Sequence, residues 1–272
     1  MGRTQIGKTE ISHKDASSIL TKAKGFMAGY DYTLNPYSGC AFGCTYCYAA
    51  FFSRSLELRQ NWGYWLQVKQ NAVQLLEKFR KKSLQDKRIY MSSVTDPYQP
   101  IEKELKLTRD LLKELLAYHQ PRLVVQTRGP LATRDIDLFQ QFHHVQVNMT
   151  ITTDNEQIRK VFEPLCPSNS VRLEAIKKIN AAGILACITL TPLLPVTDAN
   201  SFAQVLLETG VKKFIIQPFH AEKGRFIGTT REEATRLIKE MNWTAEKYQQ
   251  VYDILNKYIP NLGVGKDGFK PI

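Results

Sequence analysis

Three cysteines fall within eight residues of this chain, in the stretch Asn35-Pro36-Tyr37-Ser38-Gly39-Cys40-Ala41-Phe42-Gly43-Cys44-Thr45-Tyr46-Cys47-Tyr48-Ala49. Thiolates at CxxxCxxC spacing can wrap three corners of an iron–sulfur cube. Gly39 and Gly43 supply the tight backbone that such a loop requires. With three nearby thiolates, the fourth iron is left for an exogenous ligand. Two other chemistries compete for the same residues. Structural zinc wants four ligands, and no nearby histidine or fourth cysteine completes the set. A thioredoxin-like pair made from Cys44 and Cys47 leaves Cys40 surplus. A four-iron cluster uses all three thiols.

Two cysteines lie outside the loop. Cys166, between Leu165 and Pro167, reads as a small buried hydrophobe. Cys187 shares a strand face with Thr189 and Thr191 and could look into a cavity. Five is an odd number, and three of the five are crowded together. That distribution fits a reducing compartment and a metal or redox role better than a secreted disulfide framework.

The elements that would position this loop alternate between strand and helix. Asp31–Leu34 leads into the cysteines. Apolar residues at three- and four-residue spacing (Trp65, Val68, Ala72, Leu75, Leu76, Phe79) predict a helix over Trp62–Lys82. Strands are expected at Arg88–Val94, Leu123–Thr127, Val145–Thr152, Ile184–Leu190 and Lys212–Gln217. Helices are expected at Thr108–Tyr118, capped by Thr108, at Asp135–Phe142, at Val171–Ala182 ending on Gly183, and at Ser201–Thr209 ending on Gly210. Two further helices close the chain near Arg231–Met241 and Ala245–Lys257. Repeated βα units imply a parallel sheet with right-handed crossovers, and about six of them make an open, partial barrel. Buried parallel strands are normally apolar on both faces, yet Gln146, Asn148, Thr150 and Thr152 alternate with apolar residues. Similar rows (Ser93 and Thr95; Gln126 and Arg128; Cys187, Thr189 and Thr191) suggest a solvated or ligand-filled interior.

The loop resembles the hallmark of the radical S-adenosylmethionine (SAM) superfamily, CxxxCxΦC, with Tyr46 as the aromatic Φ. The chain is most similar to the spore photoproduct lyase-like branch. Asn35–Ala49 looks like that branch's cluster loop, and Ser92-Ser93-Val94-Thr95-Asp96-Pro97-Tyr98 like its second-strand motif. Gln126–Leu138, Ile151–Ile176 and Thr191–Asp198 resemble its later segments in order. The resemblance implies an α/β fold, a partial (β/α)6 barrel of the radical SAM type with outer helices around a parallel sheet. It implies a [4Fe–4S] cluster on Cys40, Cys44 and Cys47, with SAM on the open iron. Reductive cleavage of SAM would then give a 5′-deoxyadenosyl radical that takes a hydrogen from substrate. An electron donor such as flavodoxin or ferredoxin is implied as well.

Carried over by position, Thr95 and Asp96 stand where the SAM ammonium is accepted, Ser93 on the same polar row is a further cofactor-binding candidate, and Arg128 could pair with the SAM carboxylate. Thr150 and Thr152 stand where ribose hydroxyls are expected. Tyr46 and Tyr48 could pack on adenine or shield the cluster, and Gln217 and Phe219 are further adenine candidates. Arg172 could reach either Glu163 or the SAM carboxylate. The segment Ser92–Thr95 has no thiol where spore photoproduct lyase carries the cysteine that returns a hydrogen atom to its product. Cys187 is a candidate for a relocated donor, and lyase activity itself is not expected.

At the level of the chain, 272 residues with 43% hydrophobic and 23% charged content suit a globular α/β protein. We expect an N-terminal extension over 1–30, a core over 31–220 and a helical closure over 221–272. No run of about 18 apolar residues predicts a membrane span. The N-terminus lacks the apolar stretch of a secretory signal, and Ile6 stands where a myristoylation motif needs Ser or Thr, so a cytoplasmic location is expected. A formal net charge of +11 points to an anionic partner such as nucleic acid. Three readings follow: a radical SAM enzyme on nucleic acid or nucleotide, one on a peptide or small metabolite, and a non-catalytic iron–sulfur or zinc-binding module.

Overall fold

The structure, a computed structural model, describes residues 3–219, 232–259 and 261–272. In chain order, β1 (Gln5–Ile6), β2 (Thr9–Lys14), β3 (Leu20–Lys22), β4 (Tyr32–Leu34), β5 (Tyr37–Gly39) and β6 (Trp65–Lys69) precede the main body. There follow β7 (Arg88–Met91), β8 (Arg122–Thr127), β9 (Val145–Thr150), β10 (Leu185–Leu193), β11 (Lys213–Pro218) and β12 (Leu262–Val264). Strands β4, β7, β8, β9, β10, β11 and β12 lie side by side in sequence order and are all parallel. The β3 strand closes the other edge in the antiparallel sense. This is the open (β/α)-type sheet expected from the alternation of elements, with outer helices Leu107–Tyr118, Asn169–Ala181, Ala199–Leu207 and Ala245–Tyr258.

The sheet carries two different surfaces. One face bears Leu123, Val125, Val147, Met149, Ile188, Leu190 and Ile216, which join Leu111, Leu115, Ile176, Ile179, Phe202 and Leu206 in one buried core. Each such side chain contributes about 1.5–3 kcal/mol when removed from water. The concave face bears the polar rows, and Tyr90, Val124, Cys187 and Ile215 close its lower part together with Tyr30 and Phe269. Helix ends follow local chemistry. Asn155, Ser168 and Asp198 each cap the helix that follows through a side-chain oxygen. Gly183 adopts the left-handed φ of 79° that ends the helix before β10.

Two expectations need correction. Residues Trp62–Lys82 do not form one helix: Trp65–Lys69 is a strand, and the helix begins at Ala72. In Trp65-Leu66-Gln67-Val68-Lys69 the buried residues are Leu66 and Val68, a period of two that the three- and four-residue spacing masked. Thr108 is not a cap. It lies inside the helix Leu107–Tyr118, its hydroxyl donates to the Pro97 carbonyl at 2.6 Å, and Lys106 precedes the helix in a left-handed conformation.

The segments outside the core are tied to it. Strands β1, β2, β6 and β5 form a second sheet in that order, so residues of the N-terminal 1–30 pair with a strand that follows the cysteine loop. The C-terminal β12 joins the edge of the main sheet beside β11. Residues 220–231, where the C-terminal closure begins, lie outside the described residues. Among the described residues no helix is long and apolar enough to cross a membrane.

Candidate iron–sulfur and SAM site

The cysteine loop leaves the second sheet directly from β5. Pairing of Tyr37, Ser38 and Gly39 with Val68, Gln67 and Leu66 fixes the approach to Cys40. Gly39 has a φ of 80°, and a Cβ there would stand 2.6 Å from the Trp65 carbonyl oxygen and 2.8 Å from its ring. No side chain fits. The loop is then buttoned to the barrel at several points. The Thr95 hydroxyl donates to the Gly39 carbonyl at 2.6 Å, and Gln99 Oε1 accepts from the Ala41 amide at 2.9 Å. Asn35 Oδ1 accepts from the Val94 amide, and Lys69 Nζ donates to the Asn35 carbonyl. The Thr45 amide donates to the Phe162 carbonyl at 2.8 Å, which docks the loop on the end of helix Glu156–Phe162.

All five cysteines are free thiols. Cys40, Cys44 and Cys47 pack in one group with Phe42, Trp62, Trp65 and Val94. Burial raises the Cys40 thiol well above its usual value, and Asp96, Cys44 and Cys47 raise it further by facing it with negative charge. Burial and Cys44 likewise push Cys47 up to about 12. Cys166 belongs to the same group, with its Sγ 3.6 Å from Cys44 Sγ. A hydrogen bond from Cys166 lowers the Cys44 thiol against its burial.

Beside the thiols lies a buried charge network that the sequence reading did not single out. Glu163, fully buried, accepts from the Tyr46 hydroxyl and from Arg172 Nη2, Arg128 Nε (3.3 Å) and the Thr152 hydroxyl (3.1 Å). Burial alone would raise its pKa, but Arg172, Arg128 and Tyr46 overcome it and hold the carboxyl down to about 2. Arg172 is spent entirely on the chain: Nη1 donates to the Thr150 carbonyl, Nε to the Pro167 carbonyl, and Nη2 to Glu163. Of the two partners considered for Arg172, the structure brings it to Glu163. Arg128 is half-buried and also donates from Nη2 to the Tyr46 hydroxyl at 2.9 Å.

Asp96 sits beneath the rim. Its Oδ1 accepts from the Thr127 hydroxyl (2.6 Å) and the Tyr98 amide (2.9 Å), and its Oδ2 from the Arg128 amide (2.8 Å). It thus ties the end of β7 to the end of β8, and burial keeps its pKa above the usual value despite these bonds. Ser93, Thr95, Gln126, Arg128, Thr191 and Gln217 are half-buried at or near the C-terminal strand ends. Tyr48 is the most exposed of the expected contacts, with its hydroxyl donating to the Ser93 carbonyl. Phe219 packs edge-on against Tyr46 and Phe162.

The polar rows do meet inside the barrel, but as a mutually bonded layer and not a solvated one. Gln126 Nε2 donates to Thr150 and Thr189, Asn148 Nδ2 and the Tyr90 hydroxyl donate to Gln126 Oε1, and Gln146 Nε2 donates to Asn148. Lys213 Nζ, entering from β11, donates to Gln146. Cys187 pairs in register with Asn148 and lies two residues before Thr189 along β10. It is fully buried in the floor among Tyr30, Tyr90, Val124 and Ile215, apart from the group that holds the loop thiols. The structure does not bring Cys187 to the cysteine loop.

The profile of the radical SAM superfamily matches residues 34–207, well over half of the chain. The chain belongs to the radical SAM superfamily. It is 38% identical over 188 residues to an uncharacterized protein of Methanocaldococcus jannaschii, covering 69% of each chain. It is 26% identical over 246 residues to an uncharacterized protein of Acidianus two-tailed virus, covering 84% of this chain and 80% of that one. Its fold is similar to that of spore photoproduct lyase, with a TM-score of 0.63 at 17% identity over 94% of this chain and 81% of the other. A weaker likeness, TM-score 0.51 at 12% identity, relates it to Streptococcus suis SuiB bound to S-adenosylmethionine, over 85% of this chain and 49% of that one.

For a radical SAM protein, the donor set fits its cluster. Three free thiols pack in one group on a single loop, and the close approach at Gly39 excludes any side chain where that loop leaves β5. Among the described residues no group of three His, Cys, Asp or Glu side chains is already placed to hold a metal ion, so the fit rests on the type and spacing of the three thiols. Two features escaped the sequence reading. Glu163 stands in a turn between helices, where periodicity gives no signal, and only its pairing with Arg172 was foreseen. Cys166 lies outside every regular element, and its 122-residue separation from Cys44 hides the contact.

Proposed function

We propose that this radical SAM protein is an enzyme that holds a [4Fe–4S] cluster on Cys40, Cys44 and Cys47 and cleaves SAM at its open iron. The observation that carries the reading is the set of three free thiols on one short loop, packed in one group at the C-terminal mouth of a parallel half-barrel in a chain of this superfamily. When bound and reduced, the cluster supplies the electron that breaks the SAM sulfonium bond, and the resulting 5′-deoxyadenosyl radical removes a substrate hydrogen.

The chain's own residues divide into two ranks. Tyr46, Tyr48, Ser93, Thr95 and Arg128 reach the rim and are the groups we assign to SAM. Arg128 has five donors, and its Nε and Nη2 are engaged within the chain, so it can still pair with a carboxylate. Asp96, Thr152 and Arg172 act from beneath, through the bonds that hold Arg128, Tyr46 and Glu163 in place. Thr150 lies in the polar layer and forms its upper edge with Thr189. That layer separates the mouth from Cys187, so a hydrogen donor for a product radical would have to come from substrate, SAM chemistry or solvent-exposed groups.

We further propose a nucleic acid or nucleotide as substrate, on the net charge of +11. A reconstituted wild-type protein given dithionite and SAM under anaerobic conditions should form 5′-deoxyadenosine, and a Cys40/Cys44/Cys47→Ala triple variant should form none. Wild-type protein with four irons bound that neither binds SAM nor forms the nucleoside would sink the enzyme reading and leave a structural or electron-transfer module.

A further inference from the structure

Cys166 is held against a cluster ligand from both sides. Its Sγ lies 3.6 Å from Cys44 Sγ, within reach of a sulfur hydrogen bond, and its other neighbour in reach is the Phe42 carbonyl at 4.0 Å. The turn that carries it is clamped. Arg159 Nη1 donates to the Cys166 carbonyl (3.0 Å) and the Glu163 carbonyl (2.9 Å), the Cys166 amide donates to the Glu163 carbonyl, and Arg159 Nε is held by Glu156. On the opposite side, Thr45 is bonded through its amide and hydroxyl to the Phe162 carbonyl, at the head of the same turn. The backbones at Cys44 and Cys166 therefore cannot drift apart without breaking the turn or undocking the loop.

We infer that Cys166 is a positioning residue for the redox step, donating its S–H to the Cys44 thiolate and making the cluster easier to reduce. The inference rests on the function proposed above. When Cys44 binds iron it becomes an anionic sulfur. An S–H that could choose between a carbonyl at 4.0 Å and a thiolate at 3.6 Å then turns to the charged acceptor, because charge-assisted hydrogen bonds are the stronger ones. Reduction adds negative charge to the cluster, which a donor on a ligand sulfur stabilises more in the reduced state than in the oxidised one. Hydrogen bonds to cluster sulfurs are among the factors that set such potentials. The pair is enclosed as well. Cys44 and Cys166 are both buried, so water is poorly placed to substitute for the lost donor.

The test is a mediated redox titration of the reconstituted full-length protein without SAM, followed by the electron paramagnetic resonance of the reduced cluster. Wild type is compared with Cys166→Ala, Cys166→Val and Cys166→Ser, each normalised to bound iron. At a fixed potential the Ala and Val variants should show a ratio of reduced to oxidised cluster lowered about three- to tenfold, tenfold being about 59 mV for one electron. Cys166→Ser, which keeps a donor, should recover most of the change. Ala and Val variants that bind four irons and titrate within twofold of wild type overturn the inference and leave Cys166 as packing. If neither Ala nor Val assembles a cluster, the Ser variant decides: titration near wild type supports the donor, and a loss beyond threefold overturns it. A wild-type protein that assembles no four-iron cluster would instead overturn the proposed function itself.

Discussion

Glu163 concentrates more of the site's electrostatics than any cysteine does. It is fully buried and compensates two arginines, one of them, Arg172, equally buried. Replacing one partner of such a pair strands the other charge, which typically costs about 3–5 kcal/mol. Glu163→Gln should therefore lower the unfolding free energy of the cluster-free protein by that amount in an anaerobic urea titration. A loss below about 1 kcal/mol would mean that the arginines find other partners. The pH dependence has a definite sign. The folded carboxyl is depressed to about 2 from an ordinary 4.5, so its stabilisation is complete above pH 4.5 and is lost as the pH falls toward 2. The shift of about 2.5 units is on the order of 3 kcal/mol, in line with the mutational estimate. The Gln variant should lack this acid-dependent component between those two pH values.

Among the elements, the short pair β5–β6 decides how the thiols are presented, and glycine is what lets the two strands meet. At Gly39 an added Cβ would collide with the Trp65 backbone oxygen and ring, whereas at Gly183, with nearly the same φ, nothing stands within 4 Å. Gly183→Ala should thus cost only the left-handed backbone strain, about 1–3 kcal/mol, and leave cluster content unchanged. Gly39→Ala should keep the circular dichroism of the barrel but bind less than about half the iron of wild type, because the ladder that aims Cys40 must part. Equal iron content in the two variants would refute this account of the loop. The same elements show how much was legible beforehand. Each long βα unit could be read because its apolar periodicity reports a core that the element itself helps to build. Strand β6 could not, since only Leu66 and Val68 of it are buried, and Val68 together with Trp65 also satisfied a helical spacing. The three loop cysteines could be singled out because their spacing is local in sequence. The network of Glu163 with Tyr46, and the contact of Cys166 with Cys44, join residues more than a hundred positions apart, and no pattern along one strand or helix encodes that.

For the molecule as a whole, the question is whether a net charge of +11 forms a binding surface. The figure is already net of every acid, so ion pairs do not reduce it, but several basic residues are held within the chain. Arg80 is bonded to Glu114 and Glu77, Arg88 to Asp31, and Lys213 reaches into the barrel to Gln146. At those positions the surface is less cationic than the number of lysines and arginines suggests. A nucleic-acid substrate would make its phosphate contacts through the other basic residues, and its affinity should fall with salt because each contact releases a counterion. For a single strand touching about four phosphates, a fourfold rise in salt should weaken binding about fifty-fold, with a linear slope of log affinity on log salt. Fluorescence anisotropy of a labelled oligonucleotide, run anaerobically with the cluster in place, measures that slope directly. A steep linear slope supports nucleic acid as the substrate class. Binding that is absent even at low salt would remove it and leave peptides and small metabolites as the substrates to screen against 5′-deoxyadenosine formation.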